Sequence, residues 1–128
     1  MTSAAYLDRA RVWTRALEDG EASRSGTKVS EARLVIARQT SIAPGTLENI
    51  RKGRLKTIAV DVYDRLRASV IRKLESELQH VQHELQVARQ TGVDPRSEHF
   101  QSAQASEARI RAALGLDTPA ASDGGRDG

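Results

Sequence analysis

The feature that most limits the fold of this chain is a run of apolar residues spaced alternately three and four positions apart. The run consists of Ile71, Leu74, Leu78, Val81, Leu85 and Ala88. Only a helix with about 3.6 residues per turn places such positions on one face. The run covers about two and a half heptads, which is short for a coiled coil that folds by itself. It therefore predicts a helix whose apolar face packs against another helix.

The composition favours helices in the rest of the chain as well. Aromatic residues make up only 3% of the sequence and are Tyr6, Trp13, Tyr63 and Phe100. Strands usually concentrate aromatic and β-branched residues, whereas packed helices are built well from Leu, Ile, Val and Ala. We therefore predict an all-α protein, with Trp13 on the apolar stripe of the first helix as a core anchor.

Two helices are predicted in the first third of the chain. Apolar spacing predicts the first from about Ala4 to Asp19, with Gly20 as its stop. Residues 19–30 contain two Gly, three Ser and one Thr, a composition typical of a loop. Ser30 is then expected to cap a second helix that runs from Glu31 to about Thr40.

Three further helices are predicted after Thr40. Pro44 suits the first position of a third helix, and Gly53 suits its end. A fourth helical stretch runs from about Thr57 to Thr91 and contains the heptad run. After a turn with a Gly and an Asp-Pro pair, Ser97 caps a fifth helix with apolar residues to Leu114. These last two helices predict either an antiparallel hairpin within one chain or a seam between two chains.

The net charge of +3 conceals a segregation of charge along the sequence. Residues 24–73 contain 12 basic and 4 acidic residues, a balance of +8. The preceding 23 residues balance at −1 and the following 55 at −4. A concentrated block of Lys and Arg neutralises phosphates and releases counterions, which supplies most of the sequence-independent affinity for nucleic acid. On charge alone the block fits a nucleic-acid partner and a merely solvated basic surface equally well.

Residues 33–52 have the pattern of two short helices that meet at a steep angle. Such helices need a small residue where their backbones approach, and Ala37 meets that need. They also need apolar side chains beneath the turn and the second helix, which are Ile36, Ile42, Leu47 and Ile50. The segment, with the link from Lys52 to Ile58, resembles the helix-turn-helix of the Cro/repressor-like family. The resemblance extends over about residues 31–66, and Ser41 stands where that family usually has a turn glycine.

The resemblance implies a DNA-binding surface centred on the second helix of the motif. In that family the helix from Pro44 to Lys52 would lie in the major groove. Asn49 is then suited to an adenine edge and Glu48 to cytosine, while the small residues before Thr46 imply few direct base contacts. Phosphate contacts are expected from cations in and after this helix and in the one before it. The predicted DNA-binding residues are Lys28, Arg38, Gln39, Thr46, Glu48, Asn49, Arg51, Lys52, Arg54 and Lys56.

Other classes of protein find little support in the sequence. Cysteine is absent, which excludes disulfide scaffolds and thiolate metal sites. No apolar run approaches a membrane span or a signal peptide, so we expect a cytoplasmic protein without a membrane partner. His80 and His83 lie off the apolar seam and lack a third ligand, which predicts no metal site. With no catalytic motif or phosphate loop, neither an enzyme nor a cofactor is expected.

The sequence thus predicts three regions: a DNA-binding head over residues 1–66, a helical hairpin or coiled-coil dimerisation region over residues 67–116, and a disordered tail over residues 117–128. Proteins that read specific sites with one such head usually act as dimers. We therefore expect a homodimeric, sequence-specific transcriptional regulator. Two alternatives are a plasmid or phage accessory factor for recombination or transfer, and a coiled-coil adaptor between proteins.

Overall fold

The structure is a computed structural model that describes residues 3–116, and these residues form helices joined by short connections, without strands. The helices are α1 (Ser3–Ser25), α2 (Val29–Thr40), α3 (Pro44–Arg51), α4 (Val60–Gln90) and α5 (Glu98–Leu114). The predicted all-α class is confirmed. The tail predicted for residues 117–128 lies outside the described residues. None of the helices within residues 3–116 is both long and apolar enough to span a membrane.

Two compact units divide the chain, and the division falls inside α4, after Val70. We call the first unit the head (described over residues 3–70) and the second the hairpin (described over residues 71–116). The head contains α1, α2, α3 and the beginning of α4, and the hairpin contains the rest of α4 and α5. The sequence had suggested a boundary four residues earlier, after residue 66.

Helix α1 is longer than the sequence predicts, because Gly20 does not end it. The helix continues to Ser25, since Glu21 and Ala22 are buried. Glu21 accepts a hydrogen bond from the Ser25 hydroxyl at 2.6 Å and pairs with Arg24, and these two contacts lower its pKa. The turn comes instead at Gly26, whose φ of 67° is in the left-handed region.

The loop predicted over residues 19–30 is therefore reduced to the three residues between α1 and α2. The backbone N–H of Thr27 donates to the carbonyl of Ala22 at 3.0 Å and closes the end of α1. Helix α2 then begins at Val29, two residues before the predicted start. Its N-cap residue is Lys28, without a side-chain capping bond, so the predicted cap at Ser30 is wrong.

The connection between α2 and α3 is a tight turn held by side chains. Ser41 has a φ of 59°, and it is the one non-glycine with positive φ among the residues described. The Thr40 hydroxyl donates to the Ile36 carbonyl at 2.8 Å and accepts from the Ile42 N–H at 3.3 Å. Pro44 then occupies the first turn of α3, as predicted. The serine at this turn thus takes the left-handed conformation that a glycine adopts more easily.

This conformation leads to a prediction for stability. Replacing Ser41 with glycine is expected to raise the free energy of unfolding by about 0.5–1 kcal/mol, because relief of left-handed strain exceeds the added freedom of the unfolded chain. Urea denaturation followed by Trp13 fluorescence measures the change. Ser41→Ala keeps the Cβ and is the matched control, for which no stabilisation is expected. A glycine variant no more stable than the alanine variant would contradict the prediction.

The core of the head joins α1, α2, α3 and the beginning of α4. The predicted small residue Ala37 is buried there at 9% exposure. The predicted apolar side chains beneath the motif are buried as well, which confirms their assignment to the core. Trp13 is partly buried against this cluster and lies 5.1 Å from the Tyr63 ring, measured between centroids. The buried core residues of the head are Ala10, Leu17, Ile36, Ala37, Ile42, Leu47, Ile50 and Leu66.

In the hairpin, the heptad run of α4 closes on α5 of the same chain. Leu78 and Leu85 are buried, and so are Phe100 and Ile110 on α5. The Gln82 amide donates to a Glu107 carboxylate oxygen at 3.3 Å, which links the two helices. The start of α5 is as predicted, with the Ser97 hydroxyl accepting from the Phe100 N–H at 3.2 Å. Leu78 and Leu85 are thus occupied within the chain.

Candidate nucleic-acid interface

A buried carboxylate holds α3 against α1 and α2. The side chain of Glu18 on α1 has no exposed surface. It accepts hydrogen bonds from the Arg33 guanidinium on α2, at 2.8 and 3.3 Å, and from Arg51 on α3, at 3.2 Å. The hydrogen bonds to Glu18 raise the pKa of Arg33. Glu18, Arg33 and Arg51 come from three different helices. Their contacts therefore fix the position of α3 against α1 and α2.

Arg51 occupies a different place from the one predicted for it. Its guanidinium also lies 2.9 Å from a carboxylate oxygen of Asp19, and its side chain is only 23% exposed. These contacts place Arg51 in the frame of the head, instead of among the phosphate contacts expected from the sequence. Sequence reasoning missed Glu18, because the arginines that surround it lie 15 and 33 positions away on other helices.

The outward side of α3 carries a carboxylate surrounded by cations. The Lys52 ammonium donates to a Glu48 carboxylate oxygen at 2.7 Å. Guanidinium nitrogens of Arg33 and Arg54 lie 3.8 and 3.9 Å from the same carboxylate. The hydrogen bond from Lys52, together with the charges of Lys52, Arg33 and Arg54, holds the pKa of Glu48 below its ordinary value. Glu48 is thus engaged by cations of its own chain, and these contacts compete with the contact to cytosine expected from the sequence.

Asn49 lies beside this cluster at the end of α3. Its side-chain oxygen accepts from the Arg54 guanidinium at 3.4 Å, and its backbone carbonyl accepts from the Arg54 N–H at 2.9 Å. The chain returns toward Asn49 because Gly53 takes a φ of 70°. The predicted end of α3 at this glycine is confirmed within one residue, since the helix ends at Arg51 with Lys52 as its C-cap.

The end of α3 is also held by α1. The Arg11 guanidinium donates to the Arg51 carbonyl at 3.1 Å. A Cβ on Gly53 would lie 3.4 Å from this guanidinium, in ordinary van der Waals contact, but the φ of 70° would strain any other residue there. The segment that carries Lys52 and Arg54 is therefore fixed by a backbone turn and by a side chain from another helix.

The other predicted contacts are open to solvent to different extents. Thr46 is half-buried, and Gln39 is exposed. The exposed side chains of Lys28, Arg38 and Lys56 form no hydrogen bond or ion pair with any residue from 3 to 116. The structure joins Glu48, Asn49, Lys52 and Arg54 by direct contacts, whereas no contact links Lys28, Arg38 or Gln39 to that group within the same span.

One further cation at the motif was not predicted from the sequence. Arg65 on α4 donates to the carbonyl of Ser41 at 2.9 Å and lies 3.7 Å from the carboxylate of Asp61. It therefore places an exposed positive charge at the turn between α2 and α3. The contact joins residues 24 positions apart, and no local pattern signals it.

No group of three histidine or acidic side chains able to hold a metal ion occurs within the described part of the chain. His80 lies on α4, with its Nε2 3.2 Å from the carboxylate of Glu84.

A scan against protein-family models and searches of curated proteins and of solved structures gave no match to this chain.

Proposed function

We propose that this protein binds double-stranded DNA through α3 and the basic segment that follows it, and that it acts as a sequence-specific transcriptional regulator in the cytoplasm. The observation that carries the proposal is the group of Lys52, Arg54 and Asn49 around Glu48 on the outward side of α3. The opposite side of this short helix is anchored by Leu47 and Ile50, which are 0% and 2% exposed. A rigid helix with one anchored face and one polar, cationic face is suited to entering a groove.

Affinity in this proposal comes mainly from cations that contact phosphates. Lys52 and Arg54 belong to the group around Glu48, and Lys56 follows two residues later without a partner of its own among residues 3–116. Exposed cations on a rigid surface release counterions when they meet a duplex. The side chains of Lys28 and Arg38 form no ion pair within residues 3–116, so their charges are also available to phosphates.

Sequence discrimination in this proposal rests on few side chains. Asn49 has an amide suited to the donor and acceptor pair on an adenine edge. The residues before Thr46 are Ala43, Pro44 and Gly45, all exposed and short, so the backbone can approach the bases closely. Few side chains then reach base edges, and the shape and deformability of the DNA contribute more of the specificity.

Selection from a random duplex pool, followed by binding assays at several salt concentrations, tests the proposal. We expect enrichment of a defined site, and tighter binding of that site than of a scrambled duplex. The logarithm of the association constant should fall linearly with the logarithm of salt concentration. Phosphate contacts are strong at about 50 mM salt. If the protein bound no duplex even at that concentration, the proposal would be rejected. Footprinting that places the protein on an origin or attachment site, and not on a promoter, would favour an accessory factor.

A further inference from the structure

An open groove in the hairpin unit runs between α4 and α5 and has a volume of about 590 Å³. Its apolar lining includes Leu74 and Val81 from the heptad run and Ile110 from α5. Glu77 lines the groove from α4, and Arg109 lines it from α5. Leu74 and Val81 remain only half-buried. The apolar face of the run is thus only partly covered by the chain itself.

The core of the hairpin is small for a unit that must hold two helices together. The buried apolar side chains among its described residues are Leu78, Leu85, Phe100 and Ile110. A small unit with so few buried apolar side chains usually requires a further staple, such as oligomerisation. Cysteine is absent, so no disulfide supplies that staple. A covering partner on the groove would bury the half-exposed residues of the run.

We propose that this groove is covered by the hairpin of a second copy of the chain, in a twofold arrangement of four helices. The charges at the groove support a copy of the same chain as the occupant. The groove has an acidic residue on α4, Glu77, and a basic residue on α5, Arg109. In a twofold contact each copy meets the same surface of the other, so Glu77 faces Arg109 of the partner subunit and the reverse pair forms as well.

Both charged side chains are available for such a contact. The Glu77 side chain is 44% exposed and has an intrahelical partner in Lys73, at 2.8 Å. Arg109 is exposed and donates to the hydroxyl of Ser106 at 3.2 Å. The contact uses Leu74 and Val81 and leaves Leu78 and Leu85 in their own hairpin, unlike a parallel two-stranded coiled coil. No residue of the head takes part, so this inference does not depend on the proposed DNA binding.

Sedimentation equilibrium of the full chain without DNA tests the inference. The wild-type protein is expected to have the mass of two chains at about 100 µM, in the range where modest interfaces assemble. Glu77→Arg and Arg109→Glu are each expected to weaken the dimer about tenfold or more. The double variant Glu77→Arg/Arg109→Glu exchanges the charges and is expected to restore the dimer to within about threefold of wild type.

Arg96→Glu is the matched control, because it makes the same change of charge as Arg109→Glu in the loop between α4 and α5, outside the groove. No effect on the dimer is expected from it. Circular dichroism should show the same helicity for all variants, because every substituted side chain is exposed or half-exposed. A wild-type monomer at about 100 µM would overturn the inference, since a hydrophobic interface of this kind would be associated there. Single variants that dimerise like wild type would overturn it, and so would a double variant that stays monomeric. None of these outcomes bears on DNA binding, which is measured separately.

Discussion

Replacing Glu18 with alanine is expected to lower the free energy of unfolding by about 3 kcal/mol. The carboxylate has no exposed surface and accepts hydrogen bonds from Arg33 and Arg51. Their side chains are only 12% and 23% exposed, so removal of the carboxylate leaves two guanidinium groups with poor access to water. The loss of a buried partner is much more costly than the loss of a surface ion pair.

Asp19→Ala is the matched control for this experiment. Asp19 is the next residue on α1, contacts the same Arg51 guanidinium and has a side chain that is 54% exposed. Its replacement is expected to cost less than about 1 kcal/mol, because water screens the pair. Urea denaturation followed by the fluorescence of Trp13, the one tryptophan in the sequence, measures both values. Equal losses of unfolding free energy in the two variants would contradict the prediction that burial makes the removal of Glu18 more destabilising.

Replacing Lys52, Arg54 and Lys56 together with alanine is expected to weaken binding to the selected DNA site on the order of 100-fold at moderate salt. If each of these cations meets a phosphate, the slope of log K against log salt should become less steep by about three units for each copy bound. All three side chains are exposed, so the fold of the head should be unaffected. Fluorescence anisotropy with a labelled duplex measures both quantities.

The control for this variant removes the same amount of charge elsewhere. Arg15, Arg72 and Arg96 are exposed and lie outside the segment that follows α3. Their joint replacement with alanine is expected to change the affinity by less than about tenfold, through the loss of long-range attraction alone. If the two triple variants lost affinity equally, net charge would explain the binding and the proposed contact surface would be wrong. Arg51 is left unchanged in both, because its guanidinium belongs to the frame around Glu18.

Part of the candidate site could be predicted from sequence because short-range patterns specify it. Pro44 and Gly53 mark the two ends of α3, and their roles follow from backbone restrictions that need no distant partner. The burial of Leu47 and Ile50 follows from helical spacing. What Glu48 does could not be predicted in the same way, because Arg33 approaches it from another helix.

The amino-acid sequence by itself determined the helical class, the positions of α3 and α5, and the burial of the apolar residues Ile36, Ile42, Leu47 and Ile50. These follow from periodicity and from local backbone preferences, which act over a few residues. Tertiary structure decided that α1 continues through Gly20, that Arg51 meets Glu18 33 positions away, and that the heptad run closes on α5 of its own chain. Burial and charge pairing decide these features, and both depend on which distant surfaces meet when the chain folds.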